Sequence, residues 1–138
     1  MIFFDSGFLL AFVNASDPQH AQAVPVMDRA LKGEFGRMVV SNFITDEVLT
    51  LARVRTKSCD CGKAIHKFLH KTKDNKRLFL EVCIDEVLMK NTTDIYWKHC
   101  ESGLSFTDCS ILAVIDFLSV SHLATFDDHF RGFTTVLP

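Results

Sequence analysis

The chain is poor in residues that break or flex a backbone: three Pro and six Gly are scattered through 138 residues. With no Pro/Gly-rich tract, low-complexity run or repeat, the sequence excludes long linkers, collagen-like rods and solenoids. It also lacks an excess of either charge. Fifteen basic residues face seventeen acidic ones for a net charge of −2, which excludes a uniformly basic nucleic-acid binder. No apolar window approaches the roughly 20 residues that a membrane-spanning helix requires. The apolar start, residues 1–13, has no basic leader and meets Asp5 after four residues, so it is expected to be neither a signal peptide nor a membrane span. Five cysteines form an odd set without repeated spacing. They are expected to be free thiols in a reducing, cytoplasmic setting, three of them packed in apolar segments as small hydrophobes.

Apolar residues, by contrast, are plentiful, at 48% of the chain with thirteen Phe against one Trp and one Tyr. This balance points to aromatics used for packing, in a single domain over residues 1–138. Short apolar runs alternate with longer stretches of helical period, the pattern of a parallel sheet covered by helices on both faces. The expected strands are 2–4, 38–41, 79–84, 122–126 and 134–137, and the expected helices are 6–13, 19–31, 43–55, 62–72, 85–99 and 105–118. The fold class is therefore α/β, a parallel sheet with helices on both faces.

In such a sheet, chemistry collects outside the carboxyl ends of the strands, where loops and helix N-termini gather. Asp5 directly follows the first strand, Asp127 the fourth, and Asp108 opens the helix leading into the fourth. Each has a structural alternative. Asp5 can cap a helix, Asp108 can close a capping box with Ser105, and Asp127 or Asp128 can shape a turn. Glu47 is more specific, because at helical spacing it shares a stripe with Ile44, Val48 and Leu51 while Asp46 falls on the opposite face. A carboxylate on a packing face calls for a cation, either an arginine such as Arg53 or Arg55 or a metal ion. Several acids at one sheet edge repel one another and are tolerable when a cation or protons neutralise them; hard oxygen donors favour Mg²⁺ or Mn²⁺ over zinc.

Nine of the fifteen basic residues lie between Arg53 and Arg77, with only Asp60 and Asp74 as acids. Lys63, Lys67 and Lys71 are candidate contacts to a phosphate backbone, although such a face can equally be merely solvated. Cys59 and Cys61 with His66 and His70 do not make a convincing zinc site, since the cysteines have one residue between them instead of two to four.

The acidic positions resemble the PIN-domain family, and within it the VapC-type toxin ribonucleases of toxin–antitoxin pairs. The likeness is carried by the strand ending in Asp5-Ser6, by Leu104-Ser105-Phe106-Thr107-Asp108-Cys109, and by Thr125-Phe126-Asp127 followed by Phe130. Ser41 and Thr45 ahead of Glu47, and Asp17 with His20, add to it. The resemblance implies a three-layer α/β/α sandwich around a four- or five-stranded parallel sheet, and an Mg²⁺- or Mn²⁺-dependent endoribonuclease that leaves 5′-phosphate and 3′-hydroxyl ends. It further implies a homodimer and a cognate antitoxin. Position by position, it makes Asp5, Glu47, Asp108 and Asp127 the catalytic, metal-binding acids, with Ser6, Thr107 and Thr125 as hydroxyl donors beside them. Asp128 is left as a competitor of Asp127. Two other functions stand beside this one: a phospho-acceptor or phosphatase domain using Asp5, and a non-catalytic RNA- or protein-binding module.

Overall fold

A computed structural model describes all residues, 1–138. Its centre is a parallel sheet built on β1 (Ile2–Phe4), whose three residues are all buried. Beside β1 on one side lies β2 (Met38–Ser41), and beyond it the edge strand β5 (Phe79–Val82). On its other side lies β6 (His122–Ala124), then β7 (Val136–Leu137). The order is β5-β2-β1-β6-β7, and every pairing is parallel.

This order fixes where a site can form. From β1 the chain moves outward through β2 to β5; it then crosses back to β6 and continues to β7. Right-handed crossovers in these two opposite directions put the connecting helices on opposite faces. Helices α1 (Ser6–Val13), α2 (His20–Leu31), α3 (Asn42–Thr56) and α4 (Asp60–Leu69) pack with one another, and α5 (Glu86–Lys98) packs against α6 (Phe106–Leu118). Reversal of strand order between β1 and β6 opens a crevice at their carboxyl ends. Asp5 and Asp127 stand there.

The strands and helices expected from periodicity are present, with ends that differ by a few residues. The strand expected at 122–126 stops at Ala124, because Thr125 and Phe126 turn into the crevice loop. The helix expected at 62–72 runs from Asp60 to Leu69 and is followed by a hairpin, β3 (Thr72–Lys73) and β4 (Lys76–Arg77), which periodicity does not foretell. Its strands are fully exposed, so they carry no apolar alternation. The signal available was the turn itself: Asp74 and Asn75 both have positive φ, 52° and 60°, as a two-residue hairpin turn requires. Leu78 N donates to Lys71 O at 3.0 Å and closes the base.

Thirty-four buried residues form one apolar cluster. Phe4 touches both Phe8 and Phe79, and Phe68 packs edge-on to Phe79. The Phe8 ring stacks on Phe126 at 5.5 Å, tying α1 to the loop after β6. Trp97, Phe117 and Phe133 are exceptions to the packing role expected of aromatics, being exposed. All five cysteines are free, but only Cys109 is buried, so the expectation of three buried thiols fails. No helix is long and apolar enough to cross a membrane.

Candidate active site

Four acids from four separate elements line one open cleft of about 350 Å³: Asp5, Glu47, Asp108 and Asp127. Asp5 is the N-cap of α1, Glu47 lies in α3, Asp108 is the third residue of α6, and Asp127 follows β6. Glu47 is half-buried and faces the cleft, while its neighbour Asp46 is exposed. The helical stripe thus separates two adjacent acids.

Asp5 is the most enclosed. Its Oδ1 accepts from Ser6 N at 2.6 Å and its Oδ2 from Thr125 Oγ1 at 2.7 Å. Burial nevertheless raises its pKa to about 6, against the relief given by Thr125 and Ser6, and repulsion from Glu47 and Asp108 adds to the rise. The other three acids are each held by one oxygen. Glu47 Oε2 accepts from Ser6 Oγ at 2.7 Å, Asp108 Oδ2 from Ser105 N at 2.7 Å, and Asp127 Oδ1 from His129 N and Nδ1 at 2.8 and 2.7 Å. Their second oxygens accept no protein hydrogen bond, and no buried polar side-chain atom lacks a partner, so these oxygens lie open to the cleft. None of the four acids forms an ion pair with lysine or arginine.

The donor set is therefore all hard oxygen, uncompensated and oriented, which fits a strongly hydrated divalent cation held through a few carboxylates and its own waters. No three His, Cys, Asp or Glu groups converge into a ready-made coordination shell. The capping and turn roles weighed for Asp108 and Asp127 are real, yet they use one oxygen each and leave the other free.

The hydroxyl partners differ from expectation at one position. Thr125 Oγ1 bridges the two edges of the crevice, donating to Asp5 and accepting from Asp127 N at 3.1 Å. Ser6 links Asp5 to Glu47. Thr107 bonds to no acid: its carbonyl accepts from Ser110 Oγ, and it lines not the cleft but an adjoining groove that shares Glu47 and Leu51 with it. Asp128 is exposed, pairs with Arg131 at 2.7 Å and lines a different depression. Lys63, Lys67 and Lys71 lie outside the cleft, exposed, with only Lys63 paired, to Asp60 at 3.4 Å. Arg55, weighed from the sequence as a partner of Glu47, lines the cleft, whereas Gln19, also in its lining, and His129, which contacts Asp127 from outside it, had no signal in the sequence.

No protein-family model matches the chain. It is 29% identical over 126 residues to a VapC ribonuclease of Archaeoglobus fulgidus, covering 91% of this chain and 76% of that protein. The structure of VapC20 from Mycobacterium tuberculosis, a sarcin-ricin-loop-cleaving toxin, matches over the full length of both chains with a TM-score of 0.82 and 24% identity. FitAcB from Neisseria gonorrhoeae matches over all of this chain and 97% of that one, with a TM-score of 0.66 and 19% identity. A toxin–antitoxin complex from Klebsiella pneumoniae gives a TM-score of 0.65 at 16% identity, over 100% and 97% of the two chains. Four acids at the switch point of a β5-β2-β1-β6-β7 sheet thus accompany a likeness in sequence to a VapC ribonuclease and a likeness in fold to VapC20.

Proposed function

We propose that this chain is a Mg²⁺- or Mn²⁺-dependent endoribonuclease and the toxin of a toxin–antitoxin pair. The observation that carries the reading is the acid cleft itself: four carboxylates unpaired with lysine or arginine, three of them oriented by one oxygen and open at the other. Likeness to a VapC ribonuclease along most of the chain supports RNA as the substrate.

A divalent cation held by Asp5, Glu47, Asp108 and Asp127 would supply charge neutralisation at phosphorus and a water of lowered pKa. The chain's own residues prepare that position. Thr125 holds Asp5 and so fixes the carboxyl ends of β1 and β6 together. Ser6 holds Glu47, the Ser105 N–H holds Asp108, and His129 holds Asp127. Prepaid orientation of this kind is what lets a site bind a cation without reorganising during the reaction. This reading needs no covalent nucleophile.

The exposed lysines of α4 and its exit, Lys63, Lys67 and Lys71, belong to the proposal as contacts to RNA phosphates, extended by Lys73, Lys76 and Arg77 of the hairpin. A homodimer, a cognate antitoxin protein and a cytoplasmic location complete it; the toxin–antitoxin complexes among structural neighbours support the antitoxin.

The test is incubation of a mixed RNA pool with Mg²⁺ or Mn²⁺, beside an EDTA control and the Asp5→Asn variant. Cleavage that needs metal and Asp5, leaving 5′-phosphate ends, supports the reading. Phosphoryl transfer to Asp5 would instead indicate a phospho-acceptor domain, and no chemistry with either metal a binding module.

A further inference from the structure

Arg55 is the one basic residue that lines the acid cleft. It stands two turns beyond Glu47 on α3, with Leu51 between them, and all three line that cleft. An arginine at this spacing would be drawn onto the carboxylates and would occupy the place of a cation. It is not found there. Its acidic neighbour is Asp17, with Nη1 4.0 Å from Oδ2, and no cleft acid pairs with it.

Asp17 is built for that task. Its side chain is only 8% exposed, and its Oδ1 accepts from Gln19 N at 2.9 Å, which leaves Oδ2 toward the guanidinium. Arg55 itself is 53% exposed, so most of its donors remain open at the cleft rim. A planar guanidinium with paired donors matches the oxygens of a phosphate. The need for one is clear, because a cleft of four acids repels an anionic backbone.

Resting on the ribonuclease reading, we propose that Arg55 binds the RNA phosphate next to the scissile one, and that Asp17 is a positioning residue which keeps the guanidinium off the metal-binding acids. The pair divides the cleft into an acidic floor for the cation and a basic rim for the substrate.

The experiment compares wild type, Arg55→Gln, Arg55→Lys, Asp17→Asn and the Arg55→Gln/Asp17→Asn double variant, with Lys90→Gln on α5 as a charge control. Cleavage kinetics and EDTA-phase binding use a labelled mixed-sequence RNA, and calorimetry follows Mn²⁺ binding. Arg55→Gln is expected to raise KM on the order of tenfold with kcat nearly unchanged, and to reduce the salt slope of RNA binding by roughly 0.7, as loss of one phosphate contact on a single strand does. Arg55→Lys should recover part of KM because it keeps the charge but not the fork. Asp17→Asn should weaken Mn²⁺ binding, as the released guanidinium moves onto the acids, and the double variant should restore it. Wild-type KM and salt slope in Arg55→Gln overturn the inference, as does Asp17→Asn that lowers melting temperature without altering Mn²⁺ affinity. Should Arg55→Gln not fold, an unchanged KM in Arg55→Lys overturns it equally, and a raised KM supports it. Wild-type protein that neither binds nor cuts RNA removes the ribonuclease reading itself, a result distinct from these.

Discussion

Thr125 Oγ1 donates to Asp5 Oδ2 at 2.7 Å across 120 residues of sequence. The same oxygen accepts from Asp127 N at 3.1 Å, so one buried hydroxyl sets two acids at the crevice between β1 and β6. Thr125→Val keeps the volume and removes both bonds. It is expected to cost about 1–2 kcal/mol of stability and to weaken Mn²⁺ binding roughly 10–100-fold, as removal of a partner that orients a metal ligand does. Calorimetric titration with Mn²⁺ checks this, and equal affinity in the two proteins would remove Thr125 from the account.

Asp5 makes stability depend on pH. Its carboxyl titrates near 6 in the folded chain against 3.8 as the ordinary value, because it is buried and repelled by Glu47 and Asp108. Between those values the folded state holds a proton that the unfolded state has lost, so stability declines as pH rises through the window, by at most about 3 kcal/mol. Denaturation in EDTA from pH 4 to 7 should show this decline in wild type and a flatter profile in Asp5→Asn. Identical slopes would mean that Asp5 is not the group responsible.

Adjacent acids provide internal controls. Asp46 is exposed and Glu47 lines the cleft; Asp128 pairs with Arg131 and Asp127 lines the cleft. Glu47→Gln and Asp127→Asn are expected to reduce cleavage at least a hundredfold, while Asp46→Asn and Asp128→Asn stay within about twofold, since only the first pair loses a proposed metal ligand. Single-turnover rates decide, and equal losses within either pair would contradict the assignment.

Much of this site was legible because it depends on periodicity and topology. The 3.6-residue period separates Glu47 from Asp46, and the apolar runs ending at Phe4 and Ala124 place Asp5 and Asp127 at one sheet edge. The choice between Asp127 and Asp128 was not legible, because it rests on a turn that sends one side chain to His129 and the other to Arg131. Contacts spanning long separations were equally hidden: Ser6 with Glu47 joins α1 to α3, and Arg55 with Asp17 joins α3 to the loop between α1 and α2, elements whose relative placement no local pattern encodes. The hairpin at Thr72–Arg77 escaped because neither strand buries a side chain.

RNA affinity should carry the signature of the basic face. Replacing Lys63, Lys67 and Lys71 together by Gln is expected to lower the slope of log affinity against log salt by about two, given roughly 0.7 per phosphate contact on a single strand, with Mn²⁺ binding unchanged. Filter binding in EDTA at several salt concentrations measures it. An unaltered slope would show that these lysines are only solvated.

The central claim is that Asp5, Glu47, Asp108 and Asp127 form a divalent-cation site, and thermal melting with increasing Mn²⁺ tests it most directly. A cation that binds the folded cluster and hardly the unfolded chain adds about 2.7 kcal/mol at one hundred times its dissociation constant, a rise on the order of 10 °C for a chain of this size. The account predicts that concentration-dependent rise in wild type and its loss in Asp5→Asn/Asp108→Asn. Melting of wild type that ignores Mn²⁺ and Mg²⁺ up to millimolar concentrations would contradict it.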